Sequence, residues 1–226
     1  LVGNLNPLEE AWNYGMSLTH DFTLGNRKAN IVFDYFQTDF THQWIVDMET
    51  AHSIRMYSSP GVSYSKSAQV EVNYSPLPRL EWKLAYRYQD VAADYLGSNG
   101  GLRRLSKPFL NKDRVLLNLA YSTKYEIWKF DLTWQWSGPR RIPNAYVHSG
   151  DAPEVTAPAF SMVYGQVTRQ FKKWEMYLGV ENLFNFTQTN PIMSAADPFS
   201  RGFDATMVWG PVAGRMVYTG LRYKIN

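Results

Sequence analysis

The chain has 226 residues, 19% of them charged and 15% aromatic, a formal net charge of +3 and no cysteine. So small a charge gives no basic stripe of the kind nucleic-acid binders carry, and the missing cysteines exclude disulfide frameworks, thiolate zinc sites and thiol catalysis. No apolar run approaches the roughly 18 residues of a membrane helix, while the ring excess is mostly Tyr and Trp, which favour boundaries between apolar and wet surroundings.

The opening LVGNLNPLEEAW has neither a basic n-region nor an apolar h-region, so it does not read as a signal peptide. From there a period of two runs almost throughout. In Leu80–Gln89, LEWKLAYRYQ, one face is Leu80, Trp82, Leu84, Tyr86 and Tyr88; the other is Glu81, Lys83, Ala85, Arg87 and Gln89. In Trp128–Trp136, WKFDLTWQW, the rings and Leu132 share one face and Lys129, Asp131, Thr133 and Gln135 the other. Strict alternation of this kind is a β-strand with one apolar and one polar face. About nine strands are predicted, near 12–24, 29–47, 61–75, 80–92, 111–123, 128–138, 159–171, 174–186 and 213–225. No interior stretch has helical spacing with a cap.

The connections alternate in length. Short ones fall at Gly25–Lys28, Ser75–Arg79, Lys124–Ile127 and Lys172–Lys173; long ones at 48–60, 93–110, 139–158 and 187–212. All short turns then lie at one end of the sheet, the layout of a transmembrane barrel with short periplasmic turns and long extracellular loops. With the turn at Gly25 periplasmic, the ninth strand delivers Asn226 to the periplasm as well.

A soluble antiparallel sandwich also alternates apolar and polar residues. Three features favour the membrane barrel instead. Several strands reach ten residues or more, above the usual soluble length and close to what a membrane strand needs. Rings gather at strand ends, Trp128 and Trp174 beside short turns, Tyr88 and Trp136 near long loops, as two interfacial girdles require. The polar faces carry Glu81, Lys83, Arg87, Lys129 and Asp131 in mid-strand, which a wet lumen tolerates. The expected fold class is all-β, an antiparallel transmembrane barrel segment. Its last strand alternates Val217, Thr219, Leu221, Tyr223 and Ile225 against Met216, Tyr218, Gly220, Arg222 and Lys224. This is similar to the terminal signature read by the outer-membrane assembly machinery, although the usual final Phe is absent.

The segment Gly179–Phe186, GVENLFNF, resembles the strand end common near the C-terminus of TonB-dependent outer-membrane receptors, with Asn182, Leu183, Phe184 and Asn185 at the matching positions. The stretch that follows, running to GRMVYTGLRY, resembles their last extracellular loop and final strand. Upstream, WNYGMSLTHDF and ANIVFDYFQTDF resemble their mid-barrel hairpins. The resemblance implies a barrel of about 22 strands plugged by an N-terminal domain. Residues 1–226 would be its C-terminal portion, with the plug and the earlier strands outside this chain. It implies active uptake of a scarce nutrient of the siderophore, haem, cobalamin, glycan or peptide class. Expected partners are outer-membrane lipid, the missing strands and plug, the TonB complex reached through the plug and, additionally, a surface lipoprotein; nucleic acid is not among them. A passive porin or substrate-specific channel is the alternative function. A barrel enzyme is the third reading, and no paired acid and base residues support it.

No catalytic constellation and no cofactor motif is present. His20, His42, His52 and His148 are scattered without metal-ligand spacing. Asp94, Asp151, Asp197 and Asp204 are loop acids, read as solvated rather than calcium-binding. Candidate substrate contacts are polar groups near the outer end of the lumen, Arg87, Gln89, Gln135 and Glu181. Two loop pairs, Arg103 with Arg104 and Arg140 with Arg141, are able to meet an anion bidentately. Phe199 and Trp209 are able to stack on a ring or macrocycle.

Overall fold

A computed structural model describes residues 8–50, 53–97, 99–143, 156–189, 191–192, 194–200, 203–205 and 208–225. His52, His148 and Asp151 lie outside the described residues.

The sheet is antiparallel throughout its main path. Fourteen strands are present among the described residues: β1 (Glu10–Leu24), β2 (Arg27–His42), β3 (Trp44–Asp47), β4 (Arg55–Ser58), β5 (Ser63–Leu77), β6 (Leu80–Leu96), β7 (Leu102–Ser106), β8 (Asp113–Ser122), β9 (Trp128–Ser137), β10 (Arg140–Arg141), β11 (Thr156–Ala157), β12 (Phe160–Gln170), β13 (Trp174–Glu181) and β14 (Met216–Tyr223). Nine of them form the path β1-β2-β5-β6-β8-β9-β12-β13-β14, and β7 adds to β6. These nine are the predicted nine. The one helical element among the described residues is a 3-10 turn, Lys124–Glu126, in the connection between β8 and β9.

Register carries the two faces across the sheet. Leu84 lies opposite Val72 on one side and Leu117 on the other, and Leu117 lies opposite Trp134. On the second face Arg87 lies opposite Gln69 and Arg114. Because side chains alternate, these rows belong to opposite surfaces, one apolar and exposed, one polar. Near the short turns the apolar face carries rings in contact: Tyr74 with Trp82, Tyr121 with Phe130, and Trp174 with Tyr223. Near the long connections the same face carries tyrosines whose hydroxyls donate to carboxylates, Tyr14 to Asp39 (3.0 Å) and Tyr64 to Asp90 (3.0 Å). Two girdles of amphipathic rings therefore bracket the apolar band.

The long connections differ from the sequence expectation. The predicted strand 29–47 breaks after His42, and its end, β3, pairs as a hairpin with β4 from the segment 48–60, which is therefore not a plain loop. The segment 93–110 is not one either, since β6 continues to Leu96 and β7 folds back on it. Alternation near these segments is short, so a loop-like composition concealed them. Ile45, Ala93, Tyr95 and Leu105 bury against one another, with Tyr57 packed alongside. Charged groups close this end of the sheet. Arg104 Nε donates to Asp94 Oδ1 (2.9 Å), Arg55 pairs with the fully buried Asp47, and Arg141 spans Glu49 with two bonds of 2.7 and 2.9 Å. Burial pushes the Tyr57 hydroxyl up to about 12, and its bond to Asp47 adds to the shift.

The predicted strand 174–186 stops at Glu181. Asn182 and Asn185 take positive φ values of 52° and 56°, a conformation Asn tolerates better than most residues, and the chain leaves the sheet there. Their side chains then tie the returning segment. Asn182 Nδ2 donates to the Phe186 and Ala213 carbonyls (2.6 and 3.3 Å), and its Oδ1 accepts the Phe186 N–H (2.8 Å). Asn185 Oδ1 accepts the Arg215 N–H (2.8 Å). Gln188 Oε1 accepts the N–H groups of Trp209 and Gly210 (2.8 and 2.9 Å).

In the last hairpin, Gly179 lies opposite Tyr218 and Tyr177 opposite Gly220. Each ring lies over the neighbouring glycine, where a Cβ would collide with it.

Candidate functional site

The polar face forms a concavity of about 670 Å³ toward the long-connection end. Its floor comes from successive strands: Gln69 and Glu71 of β5, Lys83, Ala85 and Arg87 of β6, Arg114 and Leu116 of β8, Gln135 of β9, and Met162 and Tyr164 of β12. Arg140, Phe160 and Trp209 supply its upper wall.

The charge is unbalanced. Lys83, Arg87, Arg114 and Arg140 face a single carboxylate, Glu71, and Lys83 Nζ already holds it at 2.8 Å. Arg87 and Arg114 are direct cross-strand partners, a like-charge juxtaposition that costs stability unless something negative lies between them. Arg114 has one weak bond, Nη2 to Asn111 Oδ1 at 3.3 Å. Arg140 is more exacting. Its Nε and Nη2 are buried with no hydrogen-bond partner among the described residues, and its guanidinium lies 5.0 Å above the Phe160 ring. Burial, then the neighbouring Arg114, push the Arg140 guanidinium below its ordinary range. Buried donors left unmade cost on the order of 1–3 kcal/mol, more when charged. The rings are arranged beside them: Phe160 stacks on Phe186 at 5.3 Å and meets Trp209 at 6.3 Å.

Of the residues picked from sequence, Arg87, Gln135, Arg140 and Trp209 come together here. The arginine pairs are split, because adjacent strand residues point to opposite faces. Arg140 enters the concavity while Arg141, buried, bonds Glu49 and the Ser106 carbonyl (2.6 Å). Arg104 turns to Asp94, and Arg103 stands exposed opposite Tyr95. Gln89 lies on the polar face opposite Ser67, and Glu181 opposite Met216, both outside the lining. Phe199 is 98% exposed, and its N–H donates to Asp197 Oδ1. Arg114, Phe160 and Tyr164 line the concavity without being sequence candidates. Arg114 stands on the polar face of its strand, but only the cross-strand register places it against Arg87. Among the described residues no three His, Asp or Glu side chains gather as a metal site.

No protein-family model and no curated protein matches the sequence. Solved structures do match. The ferric enterobactin receptor of Pseudomonas aeruginosa superposes with a TM-score of 0.56 at 17% identity, over 94% of this chain and 31% of its own. The ferric-catecholate import receptor Fiu of E. coli gives 0.59 at 11%, over 96% of this chain and 28% of its own. The copper transporter OprC gives 0.62 at 10%, over 95% of this chain and 31% of its own. The fold is that of a TonB-dependent receptor barrel wall. At these identities the likeness is one of fold, and the chain spans less than a third of the length of each of these structures.

Proposed function

We propose that this chain is part of the wall and outer rim of an outer-membrane receptor that takes up a scarce anionic nutrient carrying aromatic or other flat apolar groups. The observation that carries the reading is Arg140, a half-buried cation whose Nε and Nη2 are buried without a partner among the described residues, facing Arg87 and Arg114 across a concavity walled by Phe160 and Trp209. An anion there relieves the like-charge pair and completes the guanidinium bonds, while the rings cover the apolar part of the cargo. The fold neighbours named for siderophore complexes and for copper support uptake in general and leave the cargo open.

In this reading the short turns and the C-terminus face the periplasm. β1 and β14 each have one sheet neighbour in the main path. Unpaired strand edges are not tolerated in lipid, so further strands complete the wall. A plug, engaged by TonB, would fill the lumen and supply the moving part; a surface lipoprotein would dock on the rim. This chain contributes wall, rim and cargo contacts, and no catalytic step.

The test is cargo binding to the intact receptor reconstituted in liposomes, with candidate anionic chelates assayed by competition. The triple change R87Q/R114Q/R140Q is expected to lower affinity by at least tenfold, since each charge-assisted bond is worth about 1.5–3 kcal/mol. Unchanged affinity in a correctly assembled variant would sink the reading. So would free conductance in planar bilayers without an energy source, which is the behaviour of a passive channel.

A further inference from the structure

The apolar face carries a second feature, on the side away from the concavity. Along β12 the outward residues are Val163, Gly165, Val167 and Arg169, fixed by their register with Trp134, Leu132, Phe130 and Trp128. Gly165 has no side chain to fill the row, and a Cβ built there would find its nearest neighbours only at 3.9 Å. The result is a groove of about 430 Å³ around Gly165, walled by Leu119, Phe130, Leu132, Val167, Leu178 and Val180.

The groove leads to a cation. Arg169 stands two residues beyond Val167, toward the short turns. Its guanidinium lies 4.9 Å from the Trp128 ring and 4.7 Å from the Phe171 ring, held between the two. No ion pair among the described residues involves it. Its outward cross-strand neighbours are Trp128 and Met176, neither of them acidic. Lys172 and Lys173 follow in the turn and add positive charge.

We infer that Arg169, Trp128 and Phe171 hold the phosphate of an anionic phospholipid in the leaflet at the short-turn end, with one acyl chain lying in the groove over Gly165. The inference rests on the membrane-barrel reading above. The four residue steps from Arg169 to Gly165 span about 13 Å along the strand, enough to pass from a head group into the upper part of a chain. Guanidinium matches phosphate geometry in two parallel bonds, and the flanking rings keep competing water off its faces. An outward arginine without a carboxylate would otherwise remain unpaired at an interface whose phosphates are the available anions. The Gly165 gap makes the site more than a surface charge, because it gives the lipid a shaped tail site on the same strand.

The experiment is native mass spectrometry of the purified intact receptor, released from a zwitterionic detergent after incubation with phosphatidylglycerol or phosphatidylcholine. Wild type is expected to retain phosphatidylglycerol roughly tenfold better than R169Q, the loss expected when charge-assisted bonds to phosphate are removed. G165L, which fills the groove, should lose retention while keeping Arg169, and R169K should regain part of it. Equal retention by wild type and R169Q overturns the inference, as does equal retention of the two lipids. Displacement of the adduct by inorganic phosphate alone overturns it too, since the tail would then contribute nothing. Each variant is first checked for heat-modifiable migration on gels. A wild type that shows no such folded form defeats the barrel reading itself; a folded wild type with indifferent lipid binding defeats only this inference.

Discussion

A half-buried guanidinium whose inner donors lack partners among the described residues is an expensive residue, and the proposed cargo site would give that expense at Arg140 a use. Its Nε and Nη2 wait beside Phe160, with Arg87 and Arg114 across the concavity. Single replacements should therefore rank. Arg140→Gln is expected to weaken cargo binding most, by about tenfold or more, because it removes desolvated donors; Arg87→Gln, more exposed, should cost less. Equilibrium binding of an anionic chelate to each variant measures the order. Arg104→Gln belongs to a different class. It breaks the pair with Asp94 and should loosen the rim without removing a group from the concavity. The strand pattern made the facing of Arg87 and Gln135 legible in the sequence. It also holds the reason the arginine pairs do not act together, since neighbours in a strand point to opposite faces. Arg114 was not legible, because opposition across strands depends on register, and register depends on turn lengths that composition does not reveal.

At the scale of elements, the outer rim is a folded structure with its own small core and its own charge network. Asp94 accepts from Arg104 and from the Val62 N–H (2.8 Å), and the Arg104 bond leads in holding its carboxyl below the usual range. The sign follows: a carboxyl with a depressed folded pKa contributes stability above its unfolded value, about 3.9, and loses it as pH falls through the folded value. Protection factors for hydrogen exchange in β4, β7 and the end of β6 are therefore expected to be high at neutral pH and to fall under acid before those in β8 and β9. Uniform acid sensitivity across these strands would count against the pairing. The Asn182 and Asn185 clasps make a second prediction. Asn182→Ala removes three bonds and leaves the Phe186 N–H to find another acceptor, a cost of about 1–3 kcal/mol. Limited proteolysis should then cut between β13 and β14 sooner, while strand content by circular dichroism stays unchanged. The motif containing these residues was visible as a resemblance, but its position just outside the strand was not. Periodicity continued past Glu181, and only the backbone turn at Asn182 ended the strand.

For the whole molecule, the question is which face meets lipid. Trp134 lies on the apolar face between Leu117 and Val163; Gln135 lies on the polar face between Leu116 and Met162. A cation on the lipid face near midplane costs about 2–4 kcal/mol. Trp134→Arg should therefore impair assembly, and Gln135→Arg should leave it nearly intact, with heat-modifiability on gels and membrane yield as the readouts. Equal behaviour of the two variants would refute the assigned facing. The path of nine strands and both faces were readable from alternation, because a period of two survives any error in strand ends. The β3–β4 hairpin and β7 were not, since four or five residues are too few for the pattern to assert itself.

The two tyrosines of the last hairpin carry a consequence for how the sheet is built. Tyr218 covers Gly179 and Tyr177 covers Gly220, so the correct alignment seats each ring on a vacant position. A slip of β14 by one residue sends Tyr218 to the other face and takes Gly220 from beneath Tyr177. A slip of two sets Tyr218 against Tyr177 or Glu181, with no vacancy to receive it. The pair thus works as a key cut for one alignment, setting β14 against β13 in a single register.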